Sequence, residues 1–466
     1  MAAQLVSVVV AIILARLLSP TEYGTISLVA IFITVANVFV TNGFGTALIQ
    51  KDNADQIDFS TVFYFGILFS LGLYGILFAC APLVADFYGM PILVPILRVL
   101  SIKVPISAIN SIQQAYVSRH MMFKKFFWAT SIGTVISAVI GIAMAYKGFG
   151  AWSLVAQELT NTIIDTIVLW FTVRWRPIIA FSFNRLKALF SYGWKLLVQA
   201  LLNTLYGNIR SLVIGKVYTS EDLAFYSKGS RYPNLIATNV DTAMGKVLFP
   251  AMSKEQSDFS RIKSVARRST RLCSFIMSPI LIGFAACGET FVSLLLTDKW
   301  LPMVPYLRII CVVLLVRPAQ TATLQAIKAT GRSDRVLRMD IPVRIVGLLS
   351  LVISAKLGVI FFAISEIVVE YFGLVLYGIE SNNLIQYNLK EIAYDLGINT
   401  VHALIMGIIV YLFGYYAPLG LFPKLLLQVA LGGIIYITTC KVFNNQNFSY
   451  MLDMIRKRRK APHTDN

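Results

Sequence analysis

The sequence predicts an all-α polytopic membrane protein of about 14 transmembrane helices: two pseudo-symmetric six-helix lobes around a central cavity, plus two extra C-terminal helices. Three observations carry this reading. The 466 residues are 57% hydrophobic and only 14% charged, with a mean hydropathy of +0.71, a balance foreign to soluble domains. Apolar runs of roughly 18 to 25 residues recur about every 30 residues, each long enough to cross a hydrocarbon core as a helix and none alternating as a barrel strand would. Short polar motifs of the first half also return in the second.

The first apolar run begins almost at Met1 and ends near Leu18. It is read as a retained helix, being too long for a signal-peptide core and lacking a basic start. Ser19, Pro20 and Glu22 then restart a helix at once. The serine is an N-cap, the proline suits the first helical position, and the glutamate completes a capping box. Spans follow at 24–48, 59–81, 93–117, 126–146 and 150–172, and the polar loop 173–187 closes the first half. The second half runs through 189–216, 222–249, 270–296, 303–327, 338–355 and 357–380, with 393–415 and 421–440 appended. The expected divisions are an N-terminal lobe at 1–187, a C-terminal lobe at 188–380, two additional helices at 381–441 and a basic tail at 442–466.

The repeat is legible at three places. LARLLSPTEYGTIS at 14–27 is echoed by IGKVYTSEDLAFYS at 214–227, with Lys216 matching Arg16, Thr219 or Ser220 as the cap, and Asp222 in place of Glu22. Gly45 and Leu48 stand opposite Gly245 and Leu248, and Val94-Pro95-Ile96-Leu97-Arg98 returns as Val304-Pro305-Tyr306-Leu307-Arg308. Two similar halves in the same orientation imply a pseudo-two-fold along the membrane normal with a site between them, which is transporter architecture.

The net charge of +18 is distributed in alternate loops. Arg119, Lys124 and Lys125, then 174–187, 254–271, 328–338 and the tail at 456–460 fall on one side, whereas Lys147, Lys216, Lys299, Lys356 and Lys424 stand singly on the other. The positive-inside rule makes the rich side cytoplasmic and places both termini there. The tail is then a topology signal or a contact to anionic lipid heads, and no nucleic-acid partner is implied. Cys80, Cys273, Cys287, Cys311 and Cys440 are scattered without metal-ligand spacing and read as small core residues, so no metal site is expected.

Polar residues inside the spans point to the site. Lys195, Gln199, Asn203, Tyr206 and Arg210 advance by four, four, three and four, which stacks them on one helical face. Ser227, Arg231, Asn234, Thr238 and Asp241 form a second stripe; Lys103, Ser107, Asn110 and Gln114 form a third, and Arg317, Thr321 and Lys328 its counterpart. Uncharged members can serve as interhelical glue. An unpaired cation at bilayer depth costs at least about 3 kcal/mol and normally faces a cavity or a partner. The candidate substrate-binding residues are therefore Lys103, Asn110, Gln114, Lys195, Gln199, Asn203, Arg210, Arg231, Asn234 and Arg317, with Arg98 and Arg308 ranked lower as snorkelling cations. A cationic, amide-rich cavity suits a diphosphate together with sugar hydroxyls. Glu158, Asp165, Asp241, Glu366 and Glu370 are candidate sites for coupling to a proton or sodium gradient. Asp340 and Arg344, four apart, are expected to neutralise each other. There is no nucleotide-binding loop, and His120, His402 and His463 are far apart, so neither an enzyme nor a cofactor is expected.

Several stretches carry a family resemblance: ILARLLSPTEYG, GFGAWSLVAQ at 148–157, FSYGWKLL at 190–197, VLFPAMSK at 247–254 and DKWLPMVPYLR at 298–308. With these, nearly the whole chain resembles polysaccharide flippases of the Wzx type, in the multidrug, oligosaccharidyl-lipid and polysaccharide exporter superfamily. The resemblance implies fourteen helices in two lobes in the bacterial cytoplasmic membrane. It further implies that a polyprenyl-diphosphate-linked saccharide is carried to the outer leaflet for surface polysaccharide or lipopolysaccharide biosynthesis, alongside other polysaccharide assembly proteins. Members carry a basic and aromatic lead-in before the first span, so the start is read as truncated or misassigned. Two alternatives make different demands on the residues. A multidrug or cation exporter of the same superfamily would want an acidic, aromatic cavity, and a membrane polymerase or glycosyltransferase would want a sizeable outer loop with catalytic side chains.

Overall fold

The computed structural model describes residues 2–451 apart from 43, 52, 257, 444 and 446. The basic run at 456–460 lies outside the described residues. The first half comprises α1 (Ala2–Leu17), α2 (Pro20–Thr41), the short α3 (Phe44–Gln50), α4 (Gln56–Tyr88), α5 (Leu93–Leu100), α6 (Lys103–Arg119), α7 (Phe123–Tyr146) and α8 (Ala151–Thr172). Then come α9 (Phe183–Val217), α10 (Ser220–Ser253), α11 (Phe259–Ala286) and the short α12 (Gly288–Leu296). A 3-10 turn at Asp298–Met303 leads into α13 (Val304–Leu314) and α14 (Arg317–Ala329). The chain ends with α15 (Ser333–Ser354), α16 (Val359–Ile385), α17 (Leu389–Tyr416) and α18 (Leu421–Val442). No strand occurs among the described residues. Taking α2 with α3, α5 with α6, α11 with α12 and α13 with α14 leaves 14 spans, and the fold is all-α and polytopic.

Four of the helix restarts have a capping box as their local cause. The Glu22 amide donates to Ser19 Oγ at 3.3 Å and the Ser19 amide to Glu22 Oε2 at 2.7 Å, closing the capping box that begins α2. In the echo Thr219 is the cap, not Ser220: the Asp222 amide donates to Thr219 Oγ1 at 3.1 Å and the Thr219 amide to Asp222 Oδ2 at 3.2 Å. Asp55 with Asp58 and Asn388 with Glu391 begin α4 and α17 in the same way. The first turn and its echo also touch. Gly24 lies so close to the carbonyl of Ser220 that a β-carbon there would stand 1.7 Å from the oxygen.

The VPxLR echo holds in three dimensions. In both halves the span breaks at a two-residue turn, at 101–102 between α5 and α6 and at 315–316 between α13 and α14. Arg98 Nε donates to the Phe78 carbonyl at 3.3 Å and lies over the Phe78 ring, while Arg308 Nε donates to the Ala285 carbonyl at 3.2 Å and lies over Tyr411. Both arginines are spent on local structure.

By its contacts the chain separates into two compact units, Met1–Ala224 and Phe225–Asn466. Helix α9 belongs to the first, packing on α2, α3 and α4. The core of the first unit is an aromatic cluster of Phe59, Phe63, Tyr116 and the buried Trp175. Trp175 comes from the loop 173–182, which is tied onto α4 where the Ile178 amide donates to Ser60 Oγ at 3.0 Å and the Ser182 amide to Thr61 Oγ1 at 3.2 Å. Beside it Asp58, fully buried, accepts from Lys51 at 2.6 Å and lies 3.4 Å from Arg185. Arg185 also bonds Asp55, and this bond holds the Asp55 carboxyl down at about 2, below the usual carboxylate range. A carboxyl depressed on folding contributes stability above its unfolded pKa, and that contribution is lost as pH falls toward about 2.

In the second unit α11 packs along α17, and the fully buried Asp395 anchors the pair. It accepts from Arg267 at 3.0 Å and 3.2 Å, from Arg271 at 2.6 Å and from the Tyr387 hydroxyl at 3.0 Å. Removing one member of such a group leaves the others uncompensated, so Asp395→Ala is expected to cost about 3 kcal/mol or more, read as a lower unfolding midpoint in detergent. Gly24→Leu has no room against Ser220 and is expected to abolish the folded protein, whereas Ser19→Ala should cost only about 1 kcal/mol. Wild-type melting of Gly24→Leu would remove the close approach as a constraint.

Candidate functional site

Among the described residues nine helical stretches are long and apolar enough to cross a membrane by length and composition alone. The helices α8, α9, α10 and α15 fall outside that group and carry charged residues such as Glu158, Arg210, Arg231 and Arg344 within their length.

In the first unit the stripe on α9 is open. Lys195, Gln199 and Asn203 are exposed, and Arg210, deeper on the same face, is half-buried. A charged or amide side chain exposed within a span needs water or a polar ligand, since hydrocarbon offers it no partner. On α6, Lys103 is the first residue after the break and pairs with Glu158 of α8 at 3.0 Å. Asn110 is buried, and its amide oxygen has no hydrogen-bond partner among the described residues; Gln114 is half-buried one turn on. Glu158 and Asp165 serve different neighbours. Glu158 reaches α6, whereas Asp165 faces Gly133 of α7, where a β-carbon would stand 2.0 Å from its carboxylate, and its Oδ1 is buried without a hydrogen-bond partner.

In the second unit Arg231 is exposed on α10, and Asn234, half-buried, donates to the Ser230 carbonyl at 2.8 Å. Asp241 accepts from Thr321 of α14 at 2.8 Å, with Arg317 and Glu370 as its charged neighbours. Gln320 donates to the Glu370 carbonyl at 2.8 Å, which ties α14 to α16. Three residues named from separate spans, Asp241, Arg317 and Glu370, thus share one neighbourhood. Glu366, four residues before Glu370, instead bonds the Tyr226 hydroxyl on α10. Asp340 accepts from Tyr377 of α16 at 2.5 Å, a partner on the facing helix.

The break places a cation at the same point in both halves. Lys103 and Arg317 are each the first residue of a resumed helix, and a cation beside a helix N-terminus favours an anion. Sequence reasoning passed over two polar residues. Gln113 is fully buried with neither amide atom partnered, and Lys228, 5% exposed, lies 5.2 Å over the Trp300 ring. Both were visible as polar residues inside apolar spans, but neither falls on the four-residue rhythm of its stripe. The second unit also has an apolar groove of about 610 Å³ along α11, α17 and α18, opened by Gly283, Gly432 and Gly433 and floored by Met406 and Val410. No sequence stripe marks it, because its lining matches the lipid-facing surface in composition.

The helix order and the polar faces can be set beside known proteins. The chain is 26% identical over 329 residues to the teichuronic acid biosynthesis protein TuaB of Bacillus subtilis (strain 168), covering 69% of this chain and 67% of TuaB. It is 21% identical over 373 residues to the lipopolysaccharide biosynthesis protein WzxC of Escherichia coli (strain K12), covering 78% and 76% respectively. Among solved structures, the lipid II flippase MurJ in an inward closed conformation superposes with a TM-score of 0.75 at 14% identity, over 96% of this chain and 98% of that one. The profile described as "Polysaccharide biosynthesis protein" matches residues 13–305, a stretch that runs from the capped first hairpin to the VPYLR echo, and the chain belongs to that family.

Proposed function

We propose that the protein flips lipid-linked oligosaccharide repeat units, carried on a polyprenyl diphosphate, from the cytoplasmic to the outer leaflet for surface polysaccharide or lipopolysaccharide biosynthesis. The observation that carries this reading is that basic and amide side chains stand exposed within spans of each unit, Lys195, Gln199 and Asn203 on α9 of the first and Arg231 on α10 of the second. A diphosphate brings about two negative charges that only cations and helix termini can offset at low dielectric, and amides exchange hydrogen bonds freely with sugar hydroxyls. The names of the relatives support the substrate class, since they are linked to teichuronic acid and lipopolysaccharide biosynthesis, and MurJ is a lipid II flippase.

The reaction is movement, not bond-making. Alternating access exposes the polar faces of the lobes first to one side of the membrane and then to the other, while the isoprenoid stays in hydrocarbon. Asp241, with Thr321, Arg317 and Glu370 around it, is the best-placed group to couple the cycle to a proton or sodium gradient. The reading places the protein in the bacterial cytoplasmic membrane with both termini inside, in company with other polysaccharide assembly proteins and without nucleic acid.

Variants Arg231→Ala and Lys195→Ala, supplied at equal abundance to a host lacking the gene, are expected to lower surface polysaccharide formation roughly ten- to a hundredfold, as loss of a charge-assisted bond to phosphate requires. Full polymer from both would remove the cationic face as the binding surface. In vesicles with an imposed proton or sodium gradient, Asp241→Asn is expected to erase the gradient dependence of flipping; an unchanged dependence would exclude Asp241 as the coupling group.

A further inference from the structure

The second unit carries a basic pocket that the transport reading does not use. On α11, Ser260, Ser264, Arg268 and Leu272 form one four-residue row, and Lys263, Arg267 and Arg271 form the row beside it. With Asn447 and Tyr450 they enclose a cavity of about 540 Å³. Its wall is fixed: the Asn447 amide side chain donates to Asn399 Oδ1 at 3.2 Å and its backbone to Asn445 Oδ1 at 2.9 Å.

The charges in this pocket do not balance. Lys263 and Arg267 lie 2.9 Å from Glu391, and Arg267 and Arg271 share Asp395 at 3.0 Å and 2.6 Å. Arg268 has no carboxylate partner among the described residues and stands exposed, 4.2 Å over the Tyr450 ring. Four cations against two carboxylates leave a surplus of two positive charges beside two free-standing serine hydroxyls. That set fits a phosphate group.

The row does not stop at the pocket. Beyond Leu272 it continues through Ile276 and Ile280, 44% and 45% exposed, and Ile280 lines the apolar groove described above. A soluble phosphate would account for the cations but not for an apolar track leading from them. We propose that this pocket binds the phosphate headgroup of an anionic membrane lipid, with the acyl chains lying along Leu272, Ile276 and Ile280. Basic pockets between helices at the membrane boundary are suited to such headgroups. The site depends on α11, α17 and the 445–450 segment, not on the polar faces proposed for the cargo.

The test uses the full chain purified with a mixture of phosphatidylglycerol and phosphatidylcholine of identical acyl chains, with retained lipid counted by native mass spectrometry. Wild type is expected to keep phosphatidylglycerol preferentially. Arg268→Gln, which touches neither Asp395 nor Glu391, is expected to lower that retention about fivefold, the ratio for one basic residue near an anionic surface, with phosphatidylcholine unchanged. Ser264→Trp, which fills the pocket without altering charge, is expected to lower it as well. Arg261→Gln removes an equal charge from a side chain paired with Glu255 and Asp258 outside the pocket and is expected to change nothing. Wild-type retention by Arg268→Gln or Ser264→Trp, or an equal loss in Arg261→Gln, would overturn the proposal. Release of the lipid by millimolar inorganic phosphate alone would show a site for soluble anions instead and would overturn it too.

Discussion

A peptide group in hydrocarbon has nowhere to place its N–H and C=O except within its own helix, and the rest of this structure follows from how the chain meets that demand at each crossing. Where a helix ends, its last carbonyls and the first amides of the next must be satisfied within a residue or two. Ser19 with Glu22 does this in the first hairpin and Thr219 with Asp222 in its echo, so the connection needs almost no loop. Because both hairpins are so compact, Gly24 can press against the Ser220 carbonyl. A cap motif thereby becomes a packing contact.

The same demand explains the broken spans. Turns at 101–102 and 315–316 interrupt two spans, and the backbone stays satisfied there because the Ser101 amide donates to the Leu97 carbonyl and the Leu315 amide to the Val312 carbonyl. Lys103 and Arg317 stand at those points, one already paired with Glu158 and the other beside Asp241. Charge at these breaks is offset by carboxylates from neighbouring helices of the same unit.

Buried charge falls into two kinds here. Asp58 and Asp395 are fully enclosed and matched by two or more cations each, and they fix a loop onto α4 and α11 onto α17. Lys195 and Arg231 are exposed on helices that cross the membrane. Composition treats the two kinds alike, and only their neighbours separate them. The basic run on α11 shows both at once, with Arg267 and Arg271 spent on Asp395 and Arg268 left outward.

The sequence by itself determined the class and order of the spans. An apolar run of some 20 residues admits one solution in a bilayer, and caps such as Ser19-Pro20-x-Glu22 are local chemistry that needs no distant partner. It also exposed the repeat and the polar stripes, since four-residue spacing fixes a helical face whatever that face meets. Tertiary structure alone decided the partners. Glu158 and Asp165 share a helix yet serve α6 and α7, Asp241 meets Thr321 from a span eighty residues on, and Arg98 and Arg308 bond local carbonyls. Helix α9 packs on α2, α3 and α4, a neighbourhood its sequence position does not announce. The physical reason is that periodicity says which residues face together on one helix, while the identity of the opposing surface depends on how helices pack, and an apolar stripe is compatible with many neighbours.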